Sequence, residues 1–349
     1  KEFLHTHPKI SLCISGGGID GYLYSLGVCL GLEHSLENFS LNQLDIYSGI
    51  SSGSIVAASL AAGIPCSDLF KQVHKKHEKL EPISFQTLFD FAAGEVLKRM
   101  MGFARSFAKL NIEESVKALQ NMIPLGFFNG HKLKEFMQKQ IEYFGIEDNF
   151  KSVKKDLFIY VTDQDSGETV TLGKSPWDNI KVSQAMRAST ALPPYYLPEK
   201  INGHWFTDGQ LTTSTNFDEA IHHGASFVIL IDPMVPYTST QAGAINQRGG
   251  YFSVLQAIKS LVNSRAIIAL QGARDKHPDV DFLLFNPTHQ LMESMAGNPM
   301  KIPLKLELID LAYRYTINRM IQHHETFKHK FAKHGLVLKT KNLLLASEL

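Results

Sequence analysis

The stretch from Ile10 to Leu32, ISLCISGGGIDGYLYSLGVCLGL, decides the fold class. It opens with the short apolar run Ile10–Ile14, which is typical of a buried strand. A glycine-rich turn at Ser15–Gly18 follows, and leucines then recur at helical spacing up to Leu32. A buried strand that passes through a tight turn directly into a helix indicates an α/β fold.

The same order of elements repeats directly afterwards. Leu44–Ser48 predicts a second strand, and the small-residue segment Ile55–Ala62 predicts a second helix. Strand, helix, strand and helix in succession predict a mostly parallel sheet with right-handed crossovers and helices on its faces. Further strands are predicted at residues 157–161, 169–172, 227–231 and 281–285, and long helices at residues 251–274 and 304–334.

Composition excludes several classes of protein. The 349 residues are 44% hydrophobic and 20% charged, which rules out a disordered or coiled-coil chain. A net charge of +1 lacks the basic footprint that nucleic-acid binding requires. Three cysteines without zinc-like spacing predict reduced, buried thiols. Because no apolar run reaches membrane-spanning length, we expect a cytoplasmic or peripheral membrane protein, with delivery to another cell or compartment left open.

The segment Gly49-Ile50-Ser51-Ser52-Gly53 is a G-x-S-x-G motif between a predicted strand and a predicted helix. A nucleophile elbow requires this arrangement, because flanking glycines let neighbouring backbone approach the sharp turn. The serine hydroxyl would lie at a helix start, where backbone N–H groups favour developing negative charge. The motif therefore predicts Ser51 as a nucleophile, and a serine-rich turn without chemistry is the structural alternative.

The glycine-rich segment Gly16–Gly21, GGGIDG, has two functional interpretations. A dinucleotide-binding turn requires an acidic residue at the end of the second strand, and this chain has none there. Alternatively, the backbone N–H groups of Gly16, Gly17 and Gly18 form an oxyanion hole. Both glycine motifs follow strands at the edge of the sheet where ligands bind in open α/β folds. The second interpretation is therefore favoured, and a nicotinamide enzyme ranks last.

A serine nucleophile requires a base, and the chain offers two kinds. Asp208 follows an apolar–polar alternation that predicts a strand, and it could face the serine from a tight turn with Gly209. An Asp-Gly turn without chemistry is its structural alternative. A Ser-His-Asp triad of the α/β-hydrolase type also stays open, because 15 histidines are present. The late candidates are His204, His222, His223, His323 and His324.

Together these motifs resemble the patatin-like phospholipases. The segments Tyr160–Glu168 and Ala188–Pro194 resemble two further segments of that family, in the same order along the chain. The resemblance covers about residues 9–235 and implies a three-layer α/β/α fold. We expect a catalytic domain over residues 1–300 and a basic helical C-terminal extension over residues 301–349, packed on the same domain.

The resemblance implies hydrolysis of carboxylic ester bonds of lipids or phospholipids through a serine acyl-enzyme. Ser51 corresponds to the nucleophile and Asp208 to the base, without histidine, metal or cofactor. Asp20 stands where the family commonly has a basic residue, and Gln210 where it has glycine or alanine. The Asp20 carboxylate would lie near the anion site, or it would serve as an acid in a first helical turn. A non-catalytic lipid-binding protein on the same fold is the alternative that these departures support.

The segment Phe85–Leu110 carries apolar residues three or four apart, which predicts an amphipathic helix. A core-facing helix and an interfacial lid both fit this pattern. In the lid interpretation Phe103 and Phe107 contact the substrate, and we add Pro194 as a third substrate-binding residue. The predicted partner is a lipid or membrane-surface substrate, while a homo-oligomer and an activating protein partner stay open.

Overall fold

A computed structural model describes residues 8–107, 124–295 and 305–345. Its centre is one eight-stranded sheet. The strands are β1 (Lys9–Ile14), β2 (Ile46–Ile50), β3 (Asp156–Asp163), β4 (Thr169–Leu172), β5 (Glu199–Ile201), β6 (His204–Asp208), β7 (Ala225–Ile231) and β8 (Asp281–Phe285). Strand β2 therefore begins and ends two residues later than the apolar pattern predicts.

Helices connect and cover these strands. Those of the described residues are α1 (Gly18–Ser35), α2 (Ser52–Ala61), α3 (Cys66–Val73), α4 (Phe85–Leu88), α5 (Ala93–Phe107), α6 (His131–Tyr143), α7 (Val182–Ser189), α8 (Asp218–His222), α9 (Gly249–Lys276), α10 (His289–Met295), α11 (Glu307–Gln322), α12 (His324–Lys333) and α13 (Lys341–Leu345). The helix predicted at residues 304–334 is thus two helices, divided at His323.

The sheet has the strand order β5-β6-β3-β2-β1-β7-β8, with β4 also paired to β3. Strands β3, β2, β1, β7 and β8 run parallel. Strands β4 and β6 run antiparallel to β3, and β5 runs antiparallel to β6. The predicted mostly parallel sheet is confirmed, with antiparallel pairing confined to one side.

Buried side chains form two clusters on opposite faces of the sheet. Leu157 and Ile159 of β3 belong to a cluster that includes residues of α1, α2 and α11. Phe158 and Tyr160 belong to a second cluster, which includes residues of α8 and α9. This alternation is the side-chain period of a strand with both faces covered. The three layers that the resemblance implies are therefore present.

The C-terminal helix α11 packs directly against α1. A Cβ atom on Gly27 of α1 would lie only 2.4 Å from the carbonyl oxygen of Ile309 in α11. Glycine at this position lets the two helices approach closely, so the C-terminal helices share the core of the sheet. The three cysteines are buried, as predicted. Within the described ranges, no helix has both the length and the hydropathy to cross a membrane.

The segment predicted as one helix over Phe85–Leu110 divides into α4 and α5. Between them the Ala92 N–H donates to the Phe127 carbonyl at 2.8 Å, and Phe91 forms a β-bridge with Phe128. These backbone pairings with a distant segment replace helical hydrogen bonds, which interrupts the helix. The continuous helix was therefore the wrong prediction, and residues 108–110 lie outside the described ranges.

Candidate active site

Ser51 lies in the sharp turn between β2 and α2. Its φ of 52° and ψ of −132° form a conformation that residues other than glycine rarely adopt. A Cβ atom on Gly49 would lie 2.4 Å from Ser54 Cα, and one on Gly53 would lie 2.3 Å from the Ile14 carbonyl oxygen. Both glycines of the motif are thus required for close packing of the turn, which holds Ser51 at the start of α2.

The backbone of Ser51 is held from two sides. Its N–H donates to Ser189 Oγ at 2.8 Å, and the Ser189 hydroxyl donates to the Tyr160 carbonyl at 2.7 Å. The Ser51 carbonyl accepts from the Ser54 N–H at 2.9 Å. Sequence reasoning missed Ser189, although the segment Ala188–Pro194 that carries the family resemblance contains it. Ser189 links the serine turn to β3.

Strand register brings Asp208 to Ser51. Ile50 lies opposite Tyr160 of β3, and Asp208 of β6 lies opposite Val161. The Asp208 carboxylate accepts a hydrogen bond from the Ser51 hydroxyl. It also accepts one from the Gln210 N–H at 2.9 Å. Residues that are 157 positions apart in the sequence therefore form one hydrogen-bonded pair.

The environment of Asp208 changes its acidity. Asp208 is only 1% exposed, and this burial raises the pKa of its carboxyl group to about 7. The hydrogen bonds from Ser51 and the Gln210 N–H oppose this rise. An ordinary aspartate is a weak base at neutral pH, whereas a carboxylate with a pKa near the operating pH can accept a proton.

The glycine loop meets the pair through Gln210. The Gly16 N–H donates to Gln210 Oε1 at 2.9 Å, so it is already paired. Gly17 and Gly18 have φ of 139° and 64°, and α1 begins at Gly18, where helical N–H groups have no acceptor within the helix. No described residue accepts a hydrogen bond from the Gly17 or Gly18 N–H. Two amides of the predicted three are therefore available for an anion.

A pocket of about 190 Å³ opens over the Ser51–Asp208 pair. Gly17, Gly18 and Gln210 lie at its polar end. Its walls are mainly apolar and aromatic, and include Ile55, Leu88, Phe89, Leu192, Tyr195 and Tyr196. An apolar pocket with a few convergent polar groups is typical of a small-molecule or acyl-chain site.

Comparison with protein-family models shows to which family the chain belongs. A family model for patatin-like phospholipases matches residues 12–221, which is more than half of the chain. The chain belongs to the patatin-like phospholipase family. The matched range contains the glycine loop, the serine motif and Asp208, so the resemblance predicted from the motifs is confirmed.

Individual relatives of this patatin-like chain are distant. The "Probable lipid hydrolase 463L" of Invertebrate iridescent virus 6 is 24% identical over 215 residues, 61% of this chain. The match spans 63% of that viral protein, less than two thirds of its length. VipD from Legionella pneumophila is 15% identical, with a TM-score of 0.41 over 91% of this chain and 67% of VipD. ExoU from Pseudomonas aeruginosa, solved with SpcU, is 15% identical, with a TM-score of 0.36 over 76% of this chain and 52% of ExoU.

The histidines predicted as alternative bases lie away from the Ser51–Asp208 pair. No histidine lines the pocket over the part of the chain that the structure describes. His204 Nδ1 lies 2.8 Å from Asp163, His223 Nδ1 lies 2.8 Å from the Glu219 carbonyl, and His324 Nε2 lies 2.9 Å from the Lys339 carbonyl. His222 ends α8, and His323 contacts Phe327. The hydrogen-bonded partner of Ser51 is a carboxylate.

Of the three predicted substrate-binding residues, the structure describes the side chain of Pro194 alone. Pro194 is not among the described residues that line the pocket, and its carbonyl accepts from the Phe127 N–H at 2.9 Å. Its neighbours Leu192 and Tyr195 line the pocket instead. Phe103 and Phe107 belong to α5, but their side chains lie outside the described part of the structure.

The side chains that the structure describes in helix α5 are exposed or half-buried rather than buried in the core. None of its described side chains is fully buried, and Leu97, Met100 and Met101 are exposed. Phe91, which directly precedes the helix, is also exposed and pairs with Phe128, whose ring contacts Tyr196 of the pocket wall. The apolar surface of α5 therefore begins next to the pocket. This arrangement favours the interfacial interpretation over a core-facing helix.

Asp20, which departs from the family pattern, has a counter-charge. It lies in the first turn of α1 and lines the pocket, and Lys305 Nζ lies 3.5 Å from its carboxylate. Burial raises the pKa of Asp20, and the charges of Lys305 and Lys259 oppose that rise. The expected acid in a first helical turn is present, and its negative charge is balanced by lysines from two other segments.

Proposed function

We propose that the protein hydrolyses carboxylic ester bonds of lipids, with Ser51 as nucleophile and Asp208 as base. The observation that carries the proposal is the hydrogen bond from the Ser51 hydroxyl to a buried carboxylate whose pKa is about 7. Family membership supports a lipid substrate. The apolar pocket beside Ser51 supports an acyl chain as the part of the substrate that is bound.

The reaction begins when Asp208 takes the hydroxyl proton as Ser51 Oγ attacks the ester carbonyl carbon. The N–H groups of Gly17 and Gly18, together with the N-terminal end of α1, stabilise the oxyanion. The carbon–oxygen bond to the alcohol breaks, and the alcohol leaves with the proton from Asp208. Water then gives a proton to Asp208 and attacks the acyl-serine, and the fatty acid leaves as Ser51 regains its proton.

Membrane contact belongs to the same proposal. The exposed residues Leu97, Met100 and Phe91 form an apolar surface next to the pocket wall, and Lys98 adds an exposed positive charge. Apolar side chains flanked by basic groups suit insertion into the interfacial layer of a bilayer. A substrate extracted from that layer would reach Ser51 along the aromatic wall. The substrate surface is therefore proposed to be a membrane or a lipid droplet.

Turnover of a short-chain aryl ester tests the proposed pair. Ser51→Ala and Asp208→Asn are each expected to lower kcat/KM by about 10³-fold, because both groups act on the transferred proton. The wild-type rate should rise with pH and level off above about pH 7, since Asp208 must be ionised to act as base. His204→Ala and His223→Ala are the matched controls for a triad.

Three results would contradict the proposal. Full activity of Asp208→Asn would exclude the carboxylate as base. Loss of activity in a single histidine variant would favour the triad instead. Lipid binding by the wild type without turnover of any ester would favour the non-catalytic alternative.

A further inference from the structure

An acidic side chain lies in the first turn of α1, beside the amides that the proposed reaction uses. Gly17 directly precedes this helix, Gly18 is its first residue, and Asp20 is its third. An acidic side chain at the third position can turn back and accept a hydrogen bond from the N–H group that precedes the helix. There the carboxylate would occupy the Gly17 N–H and repel a developing oxyanion. An unrestrained Asp20 would therefore block the proposed oxyanion hole.

In the structure the Asp20 carboxylate is held elsewhere. The start of α1 has no side-chain cap, and Lys305 Nζ lies 3.5 Å from Asp20 Oδ2. Asp20 is buried, so solvent screens the attraction between the two charges less than it would at the surface. Lys259 of α9 also acts on this carboxylate through its charge, but Lys305 is the lysine at ion-pair distance. The carboxylate is thus paired with a distant lysine rather than with the amides of its own helix.

Lys305 is itself fixed at a second point. Its Nζ donates to the Ser294 carbonyl of α10, and Met292 and Met295 of that helix line the pocket. Lys305 also lies just before α11, the helix that packs closely on α1. A lysine whose ammonium group is already anchored loses little further rotamer freedom when it pairs with a carboxylate. The position of the charge opposite Asp20 is therefore set by the C-terminal helices.

We propose that Lys305 is a positioning residue for the oxyanion hole, because its ion pair holds the Asp20 carboxylate away from the Gly17 and Gly18 amides. This inference rests on the proposed function and adds to the site a residue of the predicted C-terminal extension. Lys305 also neutralises a negative charge in the same helical turn as the amides. Without it, that charge would oppose the one that develops on the substrate oxygen.

A double-mutant cycle tests the pairing through turnover of a short-chain aryl ester. Lys305→Met should lower kcat about ten-fold or more and change KM little, because a freed Asp20 competes with the oxyanion and not with the bound ester. Asp20→Ala should then recover most of the loss. Its gain in kcat should be about ten times larger in the Lys305→Met protein than in the wild type. Lys305→Arg keeps the charge and should keep most of kcat.

The control breaks an ion pair of the same length elsewhere. Lys71 Nζ lies 3.5 Å from the Asp68 carboxylate in α3, and neither residue lines the pocket, so Lys71→Met should keep the wild-type kcat. Wild-type kcat in Lys305→Met would overturn the inference. So would a loss that Asp20→Ala does not recover, which would show that Lys305 acts only by fixing α10. Equal gains from Asp20→Ala in both backgrounds would also overturn it, since they would indicate a general effect of charge.

A binding measurement separates this inference from the proposed catalysis. Octanoate presents a carboxylate oxygen to the same amides, and its binding is measured by calorimetry in the Ser51→Ala background. Lys305→Met should weaken binding about ten-fold and Asp20→Ala should restore it, whether or not the protein turns over esters. Lys305→Gln replaces the methionine variant if thermal unfolding shows that the latter does not fold. The same coupling in a protein whose Ser51→Ala variant keeps full ester turnover would support the role of Lys305 and refute the proposed nucleophile.

Discussion

Carboxyl groups at the two ends of the strands have opposite pKa shifts. We use the word edge here for such an end of the sheet: one edge carries Ser51, and the opposite edge carries Asp281 at the start of β8. At the edge that carries Ser51, Asp208 and Asp232 are buried, and burial raises their pKa values to about 7 and about 6. At the amino end of β8, Asp281 accepts hydrogen bonds from Lys333 Nζ at 2.8 Å and His334 Nε2 at 2.9 Å. Burial alone would raise the pKa of Asp281, but the hydrogen bonds from Lys333 and His334, together with the charges of Lys330 and Lys333, lower it to about 2.

The opposite pKa shifts mean that one carboxyl group stabilises the fold and the other destabilises it when ionised. A carboxylate whose pKa is raised by folding destabilises the native state whenever it is ionised, and one whose pKa is lowered stabilises it. The edge with Asp281 therefore contributes to holding the C-terminal helix α12 on the sheet. The edge with Asp208 carries an unfavourable ionisation, which is the property that a proton acceptor near neutral pH requires.

The largest expected effect is on stability at the Ser51 edge. Asp208→Asn should raise the free energy of unfolding at pH 8 by up to about 4 kcal/mol. The native carboxyl keeps its proton up to about pH 7, whereas the unfolded one loses it near 3.8, so wild-type stability falls as pH rises between these values. Asparagine cannot ionise and avoids this loss. Urea unfolding between pH 4 and pH 8 measures it.

Two observations would break this part of the comparison. The first is a gain in the free energy of unfolding of Asp208→Asn that does not shrink toward pH 4, which would point to packing rather than ionisation. The second is the absence of any gain at pH 8. Asp165→Asn, in an exposed turn, is the matched control and should change stability little at either pH.

The opposite edge should respond with the opposite sign. Asp281→Asn is expected to lower the free energy of unfolding at pH 7 by about 2 kcal/mol, because Lys333 and His334 lose their anionic partner. The contribution of Asp281 is present above about pH 3.8 and is lost as pH falls toward 2. The difference between wild type and variant should therefore shrink in acid. Ester turnover per folded molecule should stay at the wild-type value, and a loss of turnover would show that the two edges are coupled.

The smallest expected effect sharpens the comparison within the Ser51 edge. Gln210 joins the Asp208 turn to the glycine loop, through its N–H and its Oε1 respectively. Gln210→Met removes the acceptor of the Gly16 N–H, so the loop loses an anchor and kcat for an aryl ester should fall about ten-fold.

A second buried glutamine provides the control for this variant. Gln72 donates to the Glu81 carbonyl at 3.0 Å and does not line the pocket. Gln72→Met should lower the free energy of unfolding about as much as Gln210→Met does, while kcat keeps its wild-type value. Equal kcat values for the two variants would show that Gln210 has no special role in positioning the loop.

Much of the candidate site was predictable from local sequence. Ser51, Asp208 and the Gly16–Gly18 loop stand next to strand ends, and short motifs at strand ends can be recognised without knowing the fold. The pairing of Ser51 with Asp208 follows from the register of the strands, and the apolar pattern of the sequence indicates strand positions only approximately. Their catalytic roles are still a proposal.

Other features had no local signal that revealed their role. Neither Ser189 nor Lys305 belongs to a motif whose chemistry is evident from spacing. The division of the predicted helix at residues 85–110 depends on backbone pairing with Phe127 and Phe128, which lie far along the chain. Helical periodicity describes one segment at a time, so it cannot report such pairing.

The sequence by itself determined the α/β class, the family and the residue types at the candidate site, because periodicity, turn chemistry and short motifs are local properties. Only the tertiary structure decided that Asp208, the carboxylate proposed as base, has a raised pKa, since desolvation depends on everything packed around it. It also decided that the Gly16 N–H is occupied by Gln210 and that Lys305 pairs with Asp20. Burial, register and the distance between remote side chains arise only when the whole chain has folded.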